Sequence, residues 1–464
     1  MSISNLENNN TKETQNLGQF LLYNSIFFIG IGGIGMSAIA RFFKSQGKNV
    51  AGYDKTATLV TSQLENLGIV VGYEDEISSI PASFLDSQKT LVVYTPAVPS
   101  NHKQLNYFKA QRFTVEKRAE VLGKITKNTF SLAVAGTHGK TTTSAILGHI
   151  MATEKATAFL GGIAENYDAN LILGDSKVTV MEADEFDRSF LHLSPNIACI
   201  TSMDADHLDI YGDSASLTTS FKDFSNKVSD TLIVAKGLPL KGLTYAIEEP
   251  ADYKAHNIRI VNGVYIFDIK TPNNQLIDVV FKLPGTHNVM NALAAVAMAD
   301  IYGVSLAVIK QQLMSFKGVK RRFSYKIKHE NLVLIDDYAH HPTEINAVYN
   351  SVREMYPNQR VLVVFQPHLF SRTKDFVEDF AQSLSSFDEV LLLDIYPARE
   401  LPIPGITSNW LLEKVTVNNK NKTNKDSLVS DIKKSKAKIV VMLGAGDIGV
   451  LVDEVTNELL KEIK

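Results

Sequence analysis

One segment of the sequence combines glycine, lysine and threonine in a spacing suited to binding phosphate. It follows the apolar run 131–135, precedes a helix-like stretch and reads Gly136-Thr137-His138-Gly139-Lys140-Thr141-Thr142. Backbone amides of such a loop can surround a phosphate, Lys140 can neutralise the β- and γ-phosphate oxygens, and the Thr141 hydroxyl can bind Mg²⁺. Only two residues separate Gly136 from Gly139, where the general phosphate loop has four, so the loop is a shortened variant. The segment predicts an ATP site to which all seven residues contribute.

Acidic residues follow two further apolar runs, and both groups offer oxygen ligands that suit Mg²⁺. Glu182-Ala183-Asp184-Glu185 comes after the run 178–181, and Asp204-Ala205-Asp206-His207 comes after the run 197–201. In an α/β protein these positions lie at the carboxyl ends of strands, where such sheets bind their ligands. Mg²⁺ keeps several waters and needs few protein ligands, so two acidic groups beside a phosphate loop predict a magnesium site. For any single acid, the alternative is a charge in a solvated loop.

A second glycine-rich turn occurs near the start of the chain. Gly30-Ile31-Gly32-Gly33-Ile34-Gly35 follows an apolar run and opens a helix-like stretch, and Asp54 follows the next apolar run, 49–53. Glycines let backbone amides at the positive end of a helix approach a diphosphate, and an acid at this spacing suits a ribose hydroxyl. Taken alone, the pattern indicates NAD binding, another nucleotide or a glycine turn without a ligand. Because a hydride-transfer enzyme has no use for the loop at 136–142, the two turns together favour ATP-driven chemistry on a second nucleotide-like ligand.

The elements that must position these residues alternate along the chain as strand-like and helix-like stretches. The strand-like runs, such as 91–95, 360–366 and 438–444, are continuously apolar, which is typical of parallel sheets covered by helices on both faces. The sequence therefore predicts an α/β protein. The segment 258–283 differs, because its alternation around Asn262-Gly263 predicts an antiparallel hairpin.

The length of 464 residues is enough for about three domains. A new α/β series opens at each glycine-rich turn and another near residue 333, which predicts boundaries near residues 125 and 320. We expect a flexible tail at 1–18 and domains at 19–125, 126–320 and 321–464. The segment 418–436, rich in lysine and asparagine, is expected to be a solvated surface excursion.

Composition excludes several classes of protein. The 47 basic and 50 acidic residues give a net charge of −3, which leaves no basic excess for a large nucleic-acid interface. The single cysteine, Cys199, lies in an apolar run and is expected to be a buried, unreactive thiol. No apolar run reaches the ~18 residues that a membrane helix requires, and the polar N-terminus does not resemble a secretory signal. We therefore expect a soluble cytoplasmic protein without membrane insertion.

Taken together, these motifs resemble the Mur ligases, an ATP-dependent amide-forming family that builds the peptide of bacterial peptidoglycan. The resemblance runs from about residue 26 to the C-terminal helix. Besides the three motifs above, it rests on ordered matches at 284–288, 291, 321–323, 336–344, 365–368, 371–373, 396–400 and 444–449. Within the family, the motifs are most similar to the branch that adds L-alanine to UDP-N-acetylmuramate.

The resemblance implies a fold of three α/β domains and a task for each domain. The N-terminal domain resembles a Rossmann fold, but its glycine turn is expected to bind the diphosphate of a UDP-sugar and not a dinucleotide. The central domain is expected to be a P-loop-type ATPase domain that binds ATP and Mg²⁺. The C-terminal, Rossmann-like domain is expected to receive the amino acid. Candidate contacts to the UDP-sugar in the N-terminal domain are Gly32, Gly33, Ile34, Gly35 and Asp54.

The resemblance also implies a reaction. The γ-phosphoryl group of ATP passes to the muramyl carboxylate, and the alanine amine then displaces phosphate from the resulting acyl phosphate. Lys140, with Mg²⁺ on Thr141 and Glu182, would serve the phosphoryl transfer, and His207 would bind a second Mg²⁺. A carbamoylated lysine, which other branches use in the metal region, has no counterpart in a motif of this chain and is not inferred.

The resemblance implies further ATP contacts near the boundary between the central and C-terminal domains. His287, Asn288 and Asn291 open a helix and are candidates for adenine or ribose contacts. Helix capping is the alternative, above all for Asn288. Arg321 and Arg322 suit either a phosphate clamp or a hinge pair.

Polar residues of the C-terminal domain follow strand-like runs and could complete the ATP site and receive the amino acid. Asp337 is a candidate ATP contact. Tyr338, His340, His341 and Arg372 are candidate substrate contacts. His340 and Arg372 are also candidates for catalysis, and Arg372 could pair with the alanine carboxylate or with a phosphate.

The sequence leaves alternatives open. The recycling ligase of the same family joins a tripeptide to the same UDP-sugar, although the motifs at 365–373 and 396–405 favour the alanine-adding enzyme. A nicotinamide-dependent dehydrogenase would leave the loop at 136–142 unexplained. A non-catalytic nucleotide-binding scaffold would not need the intact Lys140, Glu182 and His207. A monomer and a homodimer both remain open.

Overall fold

The computed structural model describes residues 18–204, 211, 213–398 and 400–463. The chain divides into two compact units. The first takes in Met1–Ile258, Phe267–Val280 and Met290–Lys317, and the second takes in Arg259–Ile266, Phe281–Val289 and Gly318–Lys464. Among the described residues, no helix is both long and apolar enough to cross a membrane.

The first unit begins with a five-stranded parallel sheet in the order β3-β2-β1-β4-β5. Its strands are β1 (Ser25–Ile29), β2 (Asn49–Tyr53), β3 (Val70–Gly72), β4 (Thr90–Tyr94) and β5 (Thr114–Lys117). Its helices are α1 (Ile34–Ser45), α2 (Leu59–Asn66), α3 (Lys103–Ala110) and α4 (Arg118–Thr126). Phe28 packs into the core on one face of the sheet and Phe27 into the core on the other. Both faces are therefore covered, as the continuously apolar strands predict.

The second sheet has ten strands in the order β15-β14-β13-β12-β11-β10-β6-β9-β7-β8. The first five along the chain are β6 (Phe130–Ala135), β7 (Thr157–Ala164), β8 (Ala169–Ile172), β9 (Val178–Glu182) and β10 (Ile197–Ile200). The remaining five are β11 (Thr231–Ala235), β12 (Leu243–Ile247), β13 (Tyr253–Val261), β14 (Val264–Lys270) and β15 (Gln275–Phe281). Among the described residues, its helices are α5 (Lys140–Met151), α6 (Ser214–Ser225), α7 (Thr286–Tyr302) and α8 (Leu306–Ser315). The strand β6 lies between β9 and β10 and is parallel to both, so its carboxyl end is at the centre of the sheet.

The predicted hairpin in 258–283 is present. Asn262 and Gly263 form a two-residue connection between β13 and β14, and their φ angles are +52° and +76°. Positive φ at both positions is what an Asn-Gly hairpin turn requires. The next strand along the chain, β15, lies beside β14 and forms the edge of the sheet.

The third sheet lies in the second unit and has six strands in the order β16-β17-β21-β18-β19-β20. Its strands are β16 (Ser324–Lys328), β17 (Val333–Asp337), β18 (Val361–Phe365), β19 (Glu389–Leu392), β20 (Asn419–Lys422) and β21 (Ile439–Leu443). Its helices are α9 (Pro342–Met355), α10 (Phe370–Asp375), α11 (Val377–Leu384), α12 (Ser408–Lys414), α13 (Leu428–Lys434) and α14 (Ile448–Ile463). Only β16 is antiparallel to its neighbour. Apolar residues of β17, β18 and β21 alternate between two cores, one on each face of the sheet.

The segment 418–436 is more ordered than the expected solvated excursion, because it contains the edge strand β20 and the helix α13. Lys420 Nζ donates to the carbonyl oxygens of Leu412 (2.9 Å) and Val415 at the end of α12. A cation there satisfies carbonyls that have no partner within the helix. The composition of this segment predicted a solvated surface, but Lys420 instead stabilises the end of α12.

Cys199 is fully buried in β10, and burial raises the pKa of its thiol to about 12. The expectation of a buried, unreactive thiol agrees with this position. The domain limits at residues 125 and 320 stay predictions, since the two compact units follow a different division of the chain.

Candidate active site

The glycine turn joins β1 to α1 in the first unit. Gly30 has a φ of +85°, which favours glycine, and Gly33 is the N-cap of α1. The Gly32 N–H donates to Asp54 Oδ2 over 2.7 Å, and a Cβ on Gly32 would lie only 2.8 Å from that oxygen. Asp54 Oδ1 accepts from the Thr56 N–H over 3.2 Å. Asp54 therefore holds the turn in place, which is a structural task beside the ribose contact that the sequence suggested.

The phosphate loop joins β6 to α5 at the centre of the ten-stranded sheet. Gly136 and Gly139 have φ angles of +131° and +82°, so both positions favour glycine. Ser202, just beyond β10, supports the residues between them: its Oγ accepts from the His138 N–H over 2.7 Å and lies 2.9 Å from Thr137 Oγ1. These contacts fix the loop against the end of the neighbouring strand.

The loop lysine is buried beside a carboxylate that the sequence did not single out as a site residue. Lys140 Nζ donates to the Gly136 carbonyl over 2.6 Å and to Glu185 Oε1 over 2.8 Å. Burial alone lowers the pKa of Lys140, but the charges of Glu185, Glu182 and Asp184 outweigh it and raise that pKa. Burial raises the pKa of Glu185 to about 7, although Lys140 opposes the change. The lysine stays charged, which the neutralisation of phosphate oxygens requires.

The first turn of α5 is tied to a residue far along the chain. Thr141 and Thr142 are buried in that turn, and Thr143 Oγ1 donates to Asn291 Oδ1 over 3.2 Å. A Cβ on Gly139 would lie 2.5 Å from the same Asn291 oxygen. The structure therefore brings Asn291 next to the loop, where it supports the turn from which a nucleotide would be bound.

Glu182 ends β9 beside the phosphate loop and pairs in register with Val134 of β6. Its carboxylate lies over Gly161, where a Cβ would come within 2.0 Å of Glu182 Oε2. The Thr141 hydroxyl and the Glu182 carboxylate are hard oxygen donors, which fit Mg²⁺. Among the described residues, no group of three or more His, Cys, Asp and Glu forms a metal cluster. His207, the third predicted metal ligand, lies outside the described residues.

A cavity of about 290 Å³ connects the glycine turn to the acidic group. Its lining includes Gly33, Ile34 and Gly35 of the glycine turn and the charged residues Arg118, Glu182 and Asp184. Arg118 Nη2 lies 3.4 Å from Asp184 Oδ2, and a Cβ on Gly35 would lie 2.7 Å from Arg118 Nη1. The guanidinium therefore lies against the start of α1, where the helix dipole is positive. One side of the cavity suits a diphosphate, and the other suits a group that needs a metal ion.

Two residues of this region were missed by reasoning from the sequence. Arg118 had a usable signal, because it follows β5 directly and so lies at the carboxyl edge of the sheet. Asn170 had none. Its buried Nδ2 donates to the Ile34 carbonyl over 2.6 Å and to Ser37 Oγ over 2.8 Å, across more than 130 residues of sequence. It fixes the start of α1 to the ten-stranded sheet.

In the second unit, Asp337 ends β17 and is buried. Its Oδ2 accepts from the Phe323 N–H over 2.6 Å and its Oδ1 from the Ala339 N–H over 2.7 Å. Burial raises the pKa of Asp337 to about 6, while the charge of Arg322 and the two amide donors oppose the change. The carboxylate shapes the loop after the strand and so positions the residues that follow it.

Arg321 and Arg322 both lie close to one aromatic ring. Each guanidinium carbon is 5.2 Å from the centre of the Tyr338 ring, a cation–π distance. Arg321 Nη2 also donates to the Gly444 carbonyl over 2.6 Å, and Arg322 Nη1 lies 3.7 Å from Glu344 Oε1. Three predicted site residues are thus in contact, with two positive charges held at one place.

The two histidines after β17 have different surroundings. His340 Nδ1 lies 3.0 Å from the Tyr338 carbonyl and 3.2 Å from Glu344 Oε2. His341 is the N-cap of α9, and its Nδ1 accepts from the Thr343 N–H over 3.3 Å. The carboxylate orients His340, whereas His341 has a clear structural task at a helix start.

Three other predicted residues lie in the second unit. Arg372 is buried in α10. Asn288 Nδ2 donates to the Pro284 carbonyl over 2.6 Å, so it holds the loop before α7. Burial and the charge of Arg322 lower the pKa of His287 to about 4, which leaves a neutral ring near pH 7. A neutral imidazole can both donate and accept a hydrogen bond.

The predicted residues thus form two groups, one in each compact unit. The first unit brings together the glycine turn, the phosphate loop, Glu182 and Asn291. The second brings together Arg321, Arg322, Tyr338 and the loop that Asp337 shapes.

Comparison with known protein families gives three consecutive matches. Residues 25–129 match the Mur ligase family, catalytic domain; residues 134–299 match the Mur ligase middle domain; and residues 321–452 match the Mur ligase, glutamate ligase domain. The predicted architecture of three α/β domains is confirmed by these matches and by the three sheets.

Several relatives align with nearly the whole chain. The UDP-N-acetylmuramate–L-alanine ligase of Flavobacterium psychrophilum is 61% identical over 440 residues, which cover 94% of this chain and 98% of the relative. The ligase of the same name from Porphyromonas gingivalis is 47% identical over 449 residues, with the same two coverages. The crystal structure of the UDP-N-acetylmuramate-alanine ligase of Thermotoga maritima is similar, with a TM-score of 0.81 and 28% identity over 94% of this chain and 99% of that one. A murein peptide ligase from Psychrobacter arcticus shares the fold, with a TM-score of 0.71 and 21% identity over 94% of this chain and 98% of that one. The chain belongs to the Mur ligase family.

Proposed function

We propose that this chain joins L-alanine to the lactyl carboxylate of UDP-N-acetylmuramate and converts ATP to ADP and phosphate. The observation that carries the proposal is the cavity that connects the glycine turn and Arg118 to Glu182, beside the phosphate loop. The 61% identity to an alanine-adding ligase over nearly the full length supports the choice of substrates. We propose that the enzyme acts in the cytoplasm, because both of its nucleotide substrates, ATP and UDP-N-acetylmuramate, occur there.

The chemistry must activate a carboxylate, because an amine does not attack one at neutral pH. A carboxylate oxygen attacks the γ-phosphorus of ATP, the bond to the β-phosphate oxygen breaks, and an acyl phosphate and ADP result. The alanine amine then attacks the acyl carbon, and the tetrahedral intermediate expels phosphate as the amide forms. Negative charge builds up on phosphoryl oxygens in the first step and on the carbonyl oxygen in the second. Cations and amide donors are therefore the groups that stabilise both transition states.

The phosphoryl step is assigned to the loop at 136–142. Its backbone amides and the ammonium of Lys140 bind the β- and γ-phosphate oxygens, and the lysine keeps its charge among three carboxylates. Thr141 and Glu182 would hold Mg²⁺, which neutralises phosphate charge when it is bound. His207 is proposed as a further ligand from the family resemblance.

The UDP-sugar is assigned to the glycine turn and the adjoining cavity. The diphosphate would lie at the start of α1, where the amides of Gly33, Ile34 and Gly35 meet the guanidinium of Arg118. The lactyl carboxylate would then point toward Glu182 at the other side of the cavity. Arg118 is paired with Asp184 in this structure, so the diphosphate would replace a carboxylate as its partner.

The residues of the second unit are assigned to ATP and the amino acid. Arg321 and Arg322, held on Tyr338, supply positive charge for phosphate oxygens. His287 is proposed for the adenosine part of ATP, as is Asn291 of the first unit, and Asn288 is proposed to shape the loop that carries His287. Arg372 is proposed to bind the alanine carboxylate.

His340 and His341 are the remaining candidates of the second unit. Glu344 orients the ring of His340, which is proposed to contact the substrates. His341 is proposed to support that contact from its position as the N-cap of α9. We assign Asp337 the same supporting task, since both of its oxygens accept from backbone amides.

The test is phosphate release from ATP with UDP-N-acetylmuramate and, in separate reactions, L-alanine, L-serine, glycine and the peptidoglycan tripeptide. We expect phosphate release with L-alanine to exceed that with the tripeptide by orders of magnitude, and mass spectrometry to detect UDP-N-acetylmuramoyl-L-alanine. Faster release with the tripeptide would instead identify the recycling ligase. Release that does not depend on UDP-N-acetylmuramate would contradict the assignment of the UDP-sugar.

A further inference from the structure

The ion pair between Lys140 and Glu185 is built into the interior of the first unit. Glu185 is fully buried, and both of its carboxylate oxygens lie 2.8 Å from Lys140 Nζ. Its main chain is fixed as well, because its carbonyl accepts from the Tyr211 hydroxyl over 2.6 Å and from the Arg188 N–H over 2.9 Å. The carboxylate is therefore a permanent neighbour of the phosphate loop.

The Lys140 ammonium has three hydrogen-bond acceptors within the protein. An ammonium has three protons and so three donors. Its nitrogen lies 2.6 Å from the Gly136 carbonyl, 3.3 Å from the Thr137 carbonyl and 2.8 Å from Glu185 Oε1. A phosphate oxygen can bind Nζ only by displacing one of these acceptors. The two carbonyls belong to the loop that wraps the phosphate, whereas the Glu185 carboxylate carries the same sign of charge as the phosphate and repels it.

We infer that Glu185 is an internal counter-ion that competes with nucleotide phosphates for Lys140 and thereby weakens nucleotide binding. The inference rests on the proposed assignment of the loop to ATP. Glu185 acts through Lys140 and is a positioning residue, since it releases the ammonium when phosphate enters and takes it back when ADP leaves. The pair keeps the buried lysine charged and promotes the release of product.

The test is the affinity of the full chain for ADP after Glu185→Gln, measured by titration calorimetry with EDTA present. Glutamine has the same shape and still accepts a hydrogen bond from Lys140, but it carries no charge. We expect the Kd for ADP to fall by about tenfold, which corresponds to about 1.4 kcal/mol. The rate of ADP dissociation should fall by a similar factor, because most changes in affinity at one site appear in the dissociation rate.

Two controls separate this role from general effects of charge or structure. Asp187→Asn removes a carboxylate two residues away that pairs with Lys117 at 3.0 Å, and it should leave the Kd for ADP unchanged. In a Lys140→Ala background, Glu185→Gln should lower the Kd for ADP by a much smaller factor, because no ammonium is left to compete for and only the direct repulsion between Glu185 and phosphate is removed. A role in structure alone would weaken ADP binding, which is the opposite direction.

An unchanged or higher Kd for ADP in Glu185→Gln would overturn the inference. ADP binding that is weaker in the variant only when Mg²⁺ is present would also overturn it, because Glu185 would then be a metal ligand. Failure of the unaltered chain to bind ADP would contradict the proposed function instead. If the variant does not fold, a crystal structure of the unaltered chain with ADP decides the question. We expect Lys140 Nζ to bind a phosphate oxygen and to have left Glu185; a retained 2.8 Å contact would refute the competition.

Discussion

The substitution Gly161→Ala tests whether the position of the Glu182 carboxylate matters for the reaction. Gly161 lies in β7 beneath that carboxylate, and an added Cβ would come within 2.0 Å of Oε2, 2.4 Å of Cδ and 2.5 Å of Oε1. The backbone of Gly161 does not have the positive φ that disfavours alanine. The three atoms nearest to the new methyl group all belong to the Glu182 carboxylate, so this side chain takes the closest contacts.

The size of the effect follows from these distances. Ordinary contact begins at 3.4 Å, so the carboxylate must move by about 1.4 Å from its present position. A misplacement of about 1 Å in a catalytic group costs on the order of 10²-fold in rate. We therefore expect kcat/KM for UDP-N-acetylmuramate to fall by about 10²-fold, or about 2.7 kcal/mol of transition-state stabilisation. The free energy of unfolding should change by less than about 1 kcal/mol, because the far end of a glutamate can rotate away.

The assay is phosphate release at increasing concentrations of Mg²⁺, and the variant should require more Mg²⁺ for half-maximal rate. Gly72→Ala is the matched control, because a Cβ there would lie 3.9 Å from its nearest neighbour, the Gly52 carbonyl, and should leave the rate unchanged. A Gly161→Ala enzyme whose kcat/KM stays within about threefold of the unaltered chain would refute the reasoning that Glu182 must occupy this position.

Three other outcomes follow from the structure. Lys140→Ala should abolish ATP-dependent ligation. Calorimetry should still detect binding of UDP-N-acetylmuramate, because the glycine turn belongs to a different sheet from the phosphate loop. Near-normal turnover would contradict the assignment of the phosphate loop to ATP. Asn170→Ala removes hydrogen bonds to the Ile34 carbonyl and Ser37 Oγ, although the Ile34 carbonyl still accepts from Ser37 Oγ. We expect a higher KM for UDP-N-acetylmuramate and a loss of about 1–2 kcal/mol of local stability, measured by hydrogen exchange of α1. Protection equal to that of the unaltered chain would count against this prediction. Burial raises the pKa of the Cys199 thiol to about 12. At pH 8 a thiol reagent should therefore react with Cys199 more than about 10³-fold slower in the folded chain than in the chain unfolded by guanidinium. Rapid labelling of the folded chain would show that β10 is not buried as described.

The sequence was sufficient for features that depend on neighbouring residues. The phosphate loop could be recognised because glycine at 136 and 139 allows the positive φ angles that the turn needs, and the lysine and threonine follow directly. The hairpin at Asn262-Gly263 could be predicted for the same reason. Continuously apolar strands likewise predicted sheets covered on both faces, because burial on two sides leaves no polar position.

What the sequence could not provide depends on contacts between distant segments. Gly161 reads as an ordinary glycine in a strand, and only the sheet shows that it lies beneath Glu182, since β7 and β9 are adjacent. Glu185 belongs to an acidic group for which the sequence predicted a magnesium site, and only the structure shows that it is buried against Lys140. For His341 the sequence suggested a substrate contact, and the structure adds a local task, because the ring nitrogen caps α9.

The most direct test of the proposed reaction follows one oxygen atom. UDP-N-acetylmuramate labelled with ¹⁸O in its lactyl carboxylate is incubated with the enzyme, ATP, Mg²⁺ and L-alanine, and the released phosphate is examined by mass spectrometry. Because a carboxylate oxygen forms the bridge in the acyl phosphate and leaves with phosphorus, we predict one ¹⁸O atom in each phosphate. Phosphate without ¹⁸O, released together with the alanine adduct, would contradict the acyl phosphate route.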